Sequence, residues 1–188
     1  AKPWLFGEFC DADTLREYAQ LQPPPFWLTG PVTMQRDELN WQRESAARLS
    51  AAGVTDGGAA LAQLGREQAE FTRKRILETT RRNFGGGGYV LTGWRDTPIA
   101  TSGLANDAGA LKFDQAAFRS VNAERVLLVD RERRRAWTNG GDRPSPRSPS
   151  VFWIDEAISA QVLLSNGGAS VPAGELRWQL SGAASGSA

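Results

Sequence analysis

The sequence predicts an α+β protein: an N-terminal helical layer, built on a long antiparallel helix hairpin, followed by a small mixed or antiparallel sheet. Three stretches carry that expectation. Asp56 to Phe84 holds charges at helical spacing and stops at four consecutive glycines, Gly85 to Gly88. Val126 to Val129 is an unbroken aliphatic run of strand length. Glu175 to Leu180 alternates, with Leu176, Trp178 and Leu180 on one face.

The first of these is the longest. Arg66, Glu70, Lys74, Glu78 and Arg82 recur every fourth residue with alternating sign. A helix places them in one row, where each pair contributes roughly 0.2–0.5 kcal/mol. The other side carries Leu61, Leu64, Gly65, Ala69, Thr72, Ile76 and Thr80, with Phe71 at its edge. Small residues there let a second backbone approach, so Gly65 and Ala69 mark the expected close contact. Asp56 or Thr55 caps the start, and the glycines end the helix.

Taken in order, Trp4, Leu5, Phe6 and Phe9 make the N-terminus a docked strand rather than a free tail. Asp11 or Asp13 is placed to cap a short helix, ADTLREYAQLQ, which Pro23-Pro24-Pro25 terminates. Phe26 to Leu28 reads as extended. A second helix, from about Thr33 to Ala52, ends at Gly53, and the short link to Asp56 makes it the partner of the long helix in the hairpin. Beyond the glycines, Tyr89 to Trp94 reads as a strand and Arg95 to Ala110 as a long loop. Asp114 caps the helix QAAFRSV. Val126 to Val129, apolar without a break, implies burial on both faces, and it turns back through Asp130–Arg133 into Arg135–Thr138. Asn139 to Ser150 is a loop by composition. Residues 151–165 carry both signals: alternation of Ile158, Ala160, Val162 and Leu164 for a strand, Ser150 with Asp155-Glu156 for a helix. Helix is favoured. The final GAASGSA is a disordered tail. The C-terminal half then runs in the order of a ferredoxin-like β-α-β-β-α-β unit. The expected divisions are a helical region 1–84, an α+β region 85–182 and a tail 183–188, together able to form one compact domain.

Composition excludes more than it assigns. The 188 residues carry a net charge of +1 and no histidine, which removes the commonest general base and metal ligand. The one cysteine, Cys10, has no disulfide partner in the chain and reads as a buried, inert thiol. No G-x-S-x-G or S-x-x-K nucleophile motif occurs, so no catalytic residue is assigned and the chain reads as non-enzymatic. Asp11 with Asp13, and Asp155 with Glu156, are adequately explained as helix-start carboxylates, so no metal and no cofactor is called for. The glycine run follows a helix rather than a strand and lacks the lysine of a phosphate loop. No apolar run is long enough to span a bilayer. The chain begins at Ala1, which fits loss of an initiator methionine or of a signal peptide. The first implies a cytoplasmic or virion protein and the second a periplasmic or secreted one.

Three functions follow in order. The first is a structural or protein-interaction component of a larger assembly, in a bacterial envelope machine or a virus particle, working through a protein partner or self-association. Its interface candidates are Trp4, Trp27, Trp41, Gly65, Ala69 and Phe71, because a small helical layer cannot bury all of its indoles. Trp94, Trp137, Trp153 and Trp178 are read as core. The second is a binder of polyanions or single-stranded nucleic acid. Residues 66–150 hold 16 basic and 10 acidic side chains, with Arg131, Arg133, Arg134, Arg135 and Trp137 as the candidate contact. The third is a small-ligand domain or carboxylate-only enzyme using the Arg95–Ala110 loop.

Overall fold

The computed structural model describes residues 2–17, 21–29, 44–45, 47–56, 58–83, 87–131, 152–168, 170, 173–180 and 184–187. The protein is mixed α+β, and it divides into two compact units, Ala1–Ala123 and Glu124–Ala188. The described strands pair as three two-stranded sheets, one parallel and two antiparallel.

In the first unit, β1 (Leu5–Phe9) is the expected docked strand. It is followed by a single helical turn, α1 (Phe26–Thr29), where extended chain was expected. The expected helix over ADTLREYAQLQ is absent from residues 11–17, which have no regular structure. Asp13 explains the difference: its carboxylate accepts from the backbone N–H and hydroxyl of Thr101 (2.9 and 3.2 Å) rather than from a helix start. Residues 44–45 and 47–51 are helical and form α2. Gly53, at φ +83°, ends it as expected. Val54 N–H donates to Leu49 O and Gly53 N–H to Ser50 O, both at 3.0 Å, the left-handed glycine stop that satisfies the last carbonyls.

The long helix, α3, runs Ala59–Asn83. Asp56 caps it, accepting from Gly58 N–H and Ala60 N–H at 2.9 Å each. Those backbone bonds, Ala60 first, hold its carboxyl below the usual carboxylate range. The buried line is Ala62, Ala69, Arg73 and Leu77. That line is rotated from the expected one: Ala69 is inside, while Leu61, Leu64 and Phe71 face outward. Gly65 does meet a backbone. A Cβ there would lie 3.4 Å from Leu15 N and 3.8 Å from Thr14 Cα, so the small-residue contact is made within the unit.

After α3, β2 (Gly88–Leu91) pairs parallel with β1, Phe6 opposite Tyr89 and Phe9 opposite Leu91. The register slips between Phe6 and Phe9, where Glu8 takes positive φ, as Cys10 does just beyond the strand. Phe9 thereby meets both Phe6 (5.2 Å between ring centroids) and Tyr89 (5.4 Å). Gly87 is where the two segments come closest. Its N–H donates to Trp4 O at 2.7 Å, and a Cβ would fall 2.8 Å from Pro3. One glycine of the run therefore serves strand docking. Asp114 caps α4 (Gln115–Asn122) as expected, accepting from Ala116 N–H at 2.6 Å, and α4 packs on α3.

In the second unit, β3 (Arg125–Asp130) pairs antiparallel with β4 (Gln161–Asn166), and β5 (Arg177–Leu180) with β6 (Ala184–Ser187). Three expectations are corrected here. The favoured helix over 151–165 is not formed: Glu156 closes a tight turn onto Trp153, and β4 follows. Alternation outweighed the capping signal because β3 offers a full ladder to pair with. A strand thus stands where the ferredoxin-like order needs its second helix. The tail, expected to be disordered, contributes β6. Val126 and Leu128 are buried, whereas Leu127 and Val129 on the other face are exposed, so β3 is covered on one side only. Residues 135–138, its expected hairpin partner, lie outside the described residues.

Candidate functional site

The densest polar arrangement lies in the first unit, where the loop 93–112 closes on residues 10–17. The loop is shaped locally. Asn106 Oδ1 accepts from Ala108 N–H (3.0 Å) and Ala110 N–H (2.9 Å), and Gly109 completes that turn at φ +88°. Asp96 Oδ1 accepts from Gly103 N–H at 2.9 Å. At Gly103 a Cβ would sit 2.4 Å from Asp96 N and 2.5 Å from Arg95 C, so only glycine fits.

Three side chains then tie the loop down. Lys112 Nζ donates to Asp96 Oδ1 (2.7 Å), Thr101 O (2.7 Å) and Thr14 Oγ1 (3.0 Å), which uses all three of its donors. Arg16 reaches Asp107 Oδ1 at 2.6 Å and the carbonyls of Thr97 and Ala100, with its guanidinium 4.5 Å above the Trp27 ring. Arg73, from the buried line of α3, donates to Ser102 O and lies 4.7 Å over Phe113. Burial pushes Asp96 above its ordinary value, and the Lys112 hydrogen bond pulls it partway back. Burial likewise lowers Lys112, against the pull of Asp96, and lowers Arg73.

Between these segments is a cleft of about 180 Å³, whose walls include Thr14, Glu17, Arg66, Asn106 and Leu111. Its three cations each face a carboxylate: Arg16 with Asp107, Arg66 with Glu17, and Lys112 with Asp96. Among the described residues of its lining, no cation is left over to grip a phosphate. The carboxylates are spread among cations rather than set together for acid-base work. What this arrangement does chemically is bind two stretches of chain to one another.

Cys10 belongs to the same region. Its Sγ donates to Arg73 O at 3.7 Å, and burial raises the thiol to about 11, a group held protonated. Among the described residues no three His, Cys, Asp or Glu side chains gather as a metal site, and no helix is long and apolar enough to cross a membrane.

The interface candidates separate. Trp4 is 69% exposed with its ring edge-on to Phe6, and Phe71 is 51% exposed. Trp27 is buried beneath Arg16. Gly65 and Ala69 pack inside the unit, and Trp41 lies outside the described residues. Trp94, Trp153 and Trp178, read as core, are exposed instead. Of the polyanion candidates, Arg131 is at the surface, while Arg133, Arg134, Arg135 and Trp137 lie outside the described residues. Sequence reasoning singled out the Arg95–Ala110 loop but not the side chains that anchor it, Arg16, Arg73, Asp96 and Lys112. Those anchors reach across as many as 98 residues of chain, and no local pattern reports such distances.

Compared with known proteins, the chain matches no family model, no curated protein and no solved structure.

Proposed function

We propose that the chain is a non-enzymatic interaction component of a larger assembly, of the kind found in envelope machines and virus particles. One observation carries this reading. Among the described residues 18 large apolar side chains are exposed, against nine buried apolar residues, of which three are alanines. Burying one such side chain is worth about 1.5–3 kcal/mol, and here that gain is left for a contact outside the chain. The exposed set is grouped: Trp153, Ile154 and Ile158 in one stretch, and Leu127, Val129, Val162 and Leu164 on one face of the β3–β4 ribbon. The cross-strand partners Leu127–Leu164 and Val129–Val162 make that face continuous.

The helix hairpin is part of the same proposal, with α2 and α3 as its arms. It is supported by the glycine stop at Gly53 and by Gly58, where a Cβ would meet Leu49 Cδ1 at 3.0 Å. The test is site-specific photo-crosslinking from positions 71 and 153 in the cell that encodes the chain. Discrete adducts of defined mass are expected at both. Absence of adducts at both positions refutes the reading.

A further inference from the structure

Resting on the interaction reading, we infer that α3 is the site of self-association, pairing antiparallel with α3 of a second copy about a two-fold axis at Phe71. The observation is an outward edge of α3 with its own charge pattern. Leu61, Leu64 and Phe71 are 43%, 59% and 51% exposed and share one side of the helix. Glu67 and Arg75 stand four residues before and after Phe71, one turn away on the same face.

These two charges have no counter-ion in their own chain among the described residues. Glu67 accepts only the Gln63 side-chain amide, at 3.0 Å, and Arg75 faces only the Phe71 ring, at 5.6 Å. Two other cations on the helix are already taken: Lys74 pairs with Glu78, and Arg66 with Glu17.

A two-fold axis through Phe71 supplies the missing partners. In an antiparallel pair, the residue four before the axis lies opposite the residue four after it in the other copy. Glu67 then meets Arg75 of the second copy, and the symmetry makes the contact twice. Each pair lies about 6 Å along the helix from the axis, close enough that a crossing of about 20° keeps the partners in reach. Parallel pairing in register sets Glu67 against Glu67 and Arg75 against Arg75, which repels. The pattern therefore specifies both the occupant and its direction. Phe71 meets its own copy at the centre, and Leu61 and Leu64 extend the apolar edge toward the helix start.

The test is sedimentation equilibrium of the full chain across a range of concentrations at low salt. Reversible doubling of mass is expected. Glu67→Arg or Arg75→Glu alone each places like charges opposite one another and weakens association about tenfold or more. The double variant E67R/R75E restores it to within about threefold of the parent. Restoration is a result that misfolding cannot imitate. A chain monomeric throughout, single variants that shift association less than twofold, or a double variant no better than the singles overturns the pairing. Crosslinking from position 71 separates this inference from the broader one. An adduct of two copies supports it, an adduct with a different chain overturns the pairing and leaves the interaction reading standing, and silence at both 71 and 153 removes both.

Discussion

Lys112→Met is the perturbation that most directly measures how the first unit is held. It deletes the ammonium and keeps the side-chain length. Asp96 is left with a side chain 3% exposed and no ion-paired cation, so solvent cannot screen the charge. Removing one partner of a buried ion pair costs about 3–5 kcal/mol. Asp96→Asn differs, because its Oδ1 still accepts from Gly103 N–H and from Lys112, whose other acceptors remain. It is expected to cost about 1–3 kcal/mol. In the double variant no charge is stranded, so the two losses sum to more than the double loses, by at least about 1 kcal/mol.

Proton linkage gives a second readout. Burial raises the folded-state value of Asp96, so between the unfolded and folded values the native chain binds more protons and stability falls as pH rises. For Lys112, lowered by burial, stability rises with pH between its folded value and the ordinary amine range. In Lys112→Met the Asp96 carboxyl loses the group that restrained it. The deficit is therefore largest at neutral pH and shrinks as acid neutralises Asp96. Urea denaturation followed by tryptophan fluorescence, from neutral pH into the carboxylate range, reads all of this. A Lys112→Met variant within about 1 kcal/mol of the parent at neutral pH, or a deficit flat across that range, refutes the buried-pair argument.

Three further outcomes follow from the same structure. Gly103→Ala forces a Cβ within 2.7 Å of three backbone atoms and is expected to lose about 3 kcal/mol or more, whereas Gly109→Ala, with open space but φ +88°, loses about 1–2 kcal/mol by the same denaturation assay. Asp56→Ala removes the α3 cap and lowers thermal stability at neutral pH. Because the folded Asp56 value is depressed, its contribution is present above the unfolded value and lost as pH falls through the folded one, so parent and variant curves converge in acid. Ala69→Leu adds bulk at a position 1% exposed and costs roughly 1–3 kcal/mol, while Glu70→Ala on the ladder costs only a few tenths, and equal losses in urea titrations contradict the assigned face.

Much of what could be read from the sequence was encoded locally. The Asp56 and Asp114 caps, the Gly53 stop, β1, β2 and the aliphatic run in β3 all rest on residues within a few positions of one another. The misplaced elements are those decided by distant partners. Asp13 has the chemistry of a helix cap, yet Thr101, 88 residues away, offers it two donors. Residues 161–166 carry helix and strand signals together, and only β3 as a ladder partner settles them. The face of α3 was misjudged for a related reason. The side with Leu61 and Leu64 is the more apolar, but Arg73 reaches the loop carbonyl of Ser102 and turns Ala62, Ala69 and Leu77 inward with it.

That rotation connects the polar clamp to the exposed apolar surface. A helix that buried Leu61, Leu64 and Phe71 would gain more from the hydrophobic effect than one that buries two alanines, an arginine and one leucine. The first unit takes the second arrangement and holds it with Arg73 on Ser102, in a loop that Arg16 on Asp107 and Lys112 on Asp96 tie down. Buried ion pairs add little net stability over well-packed apolar groups, but their directional bonds fix which segments meet and in what register. In this chain they fix a helix orientation that buries Leu77 but leaves Leu61, Leu64 and Phe71 outside. An orientation costly for an isolated chain is consistent when those side chains are covered by a partner, and the same helix carries Glu67 and Arg75 on its uncovered side without counter-ions among the described residues. The polar interior and the apolar exterior are thus two consequences of one choice of helix face.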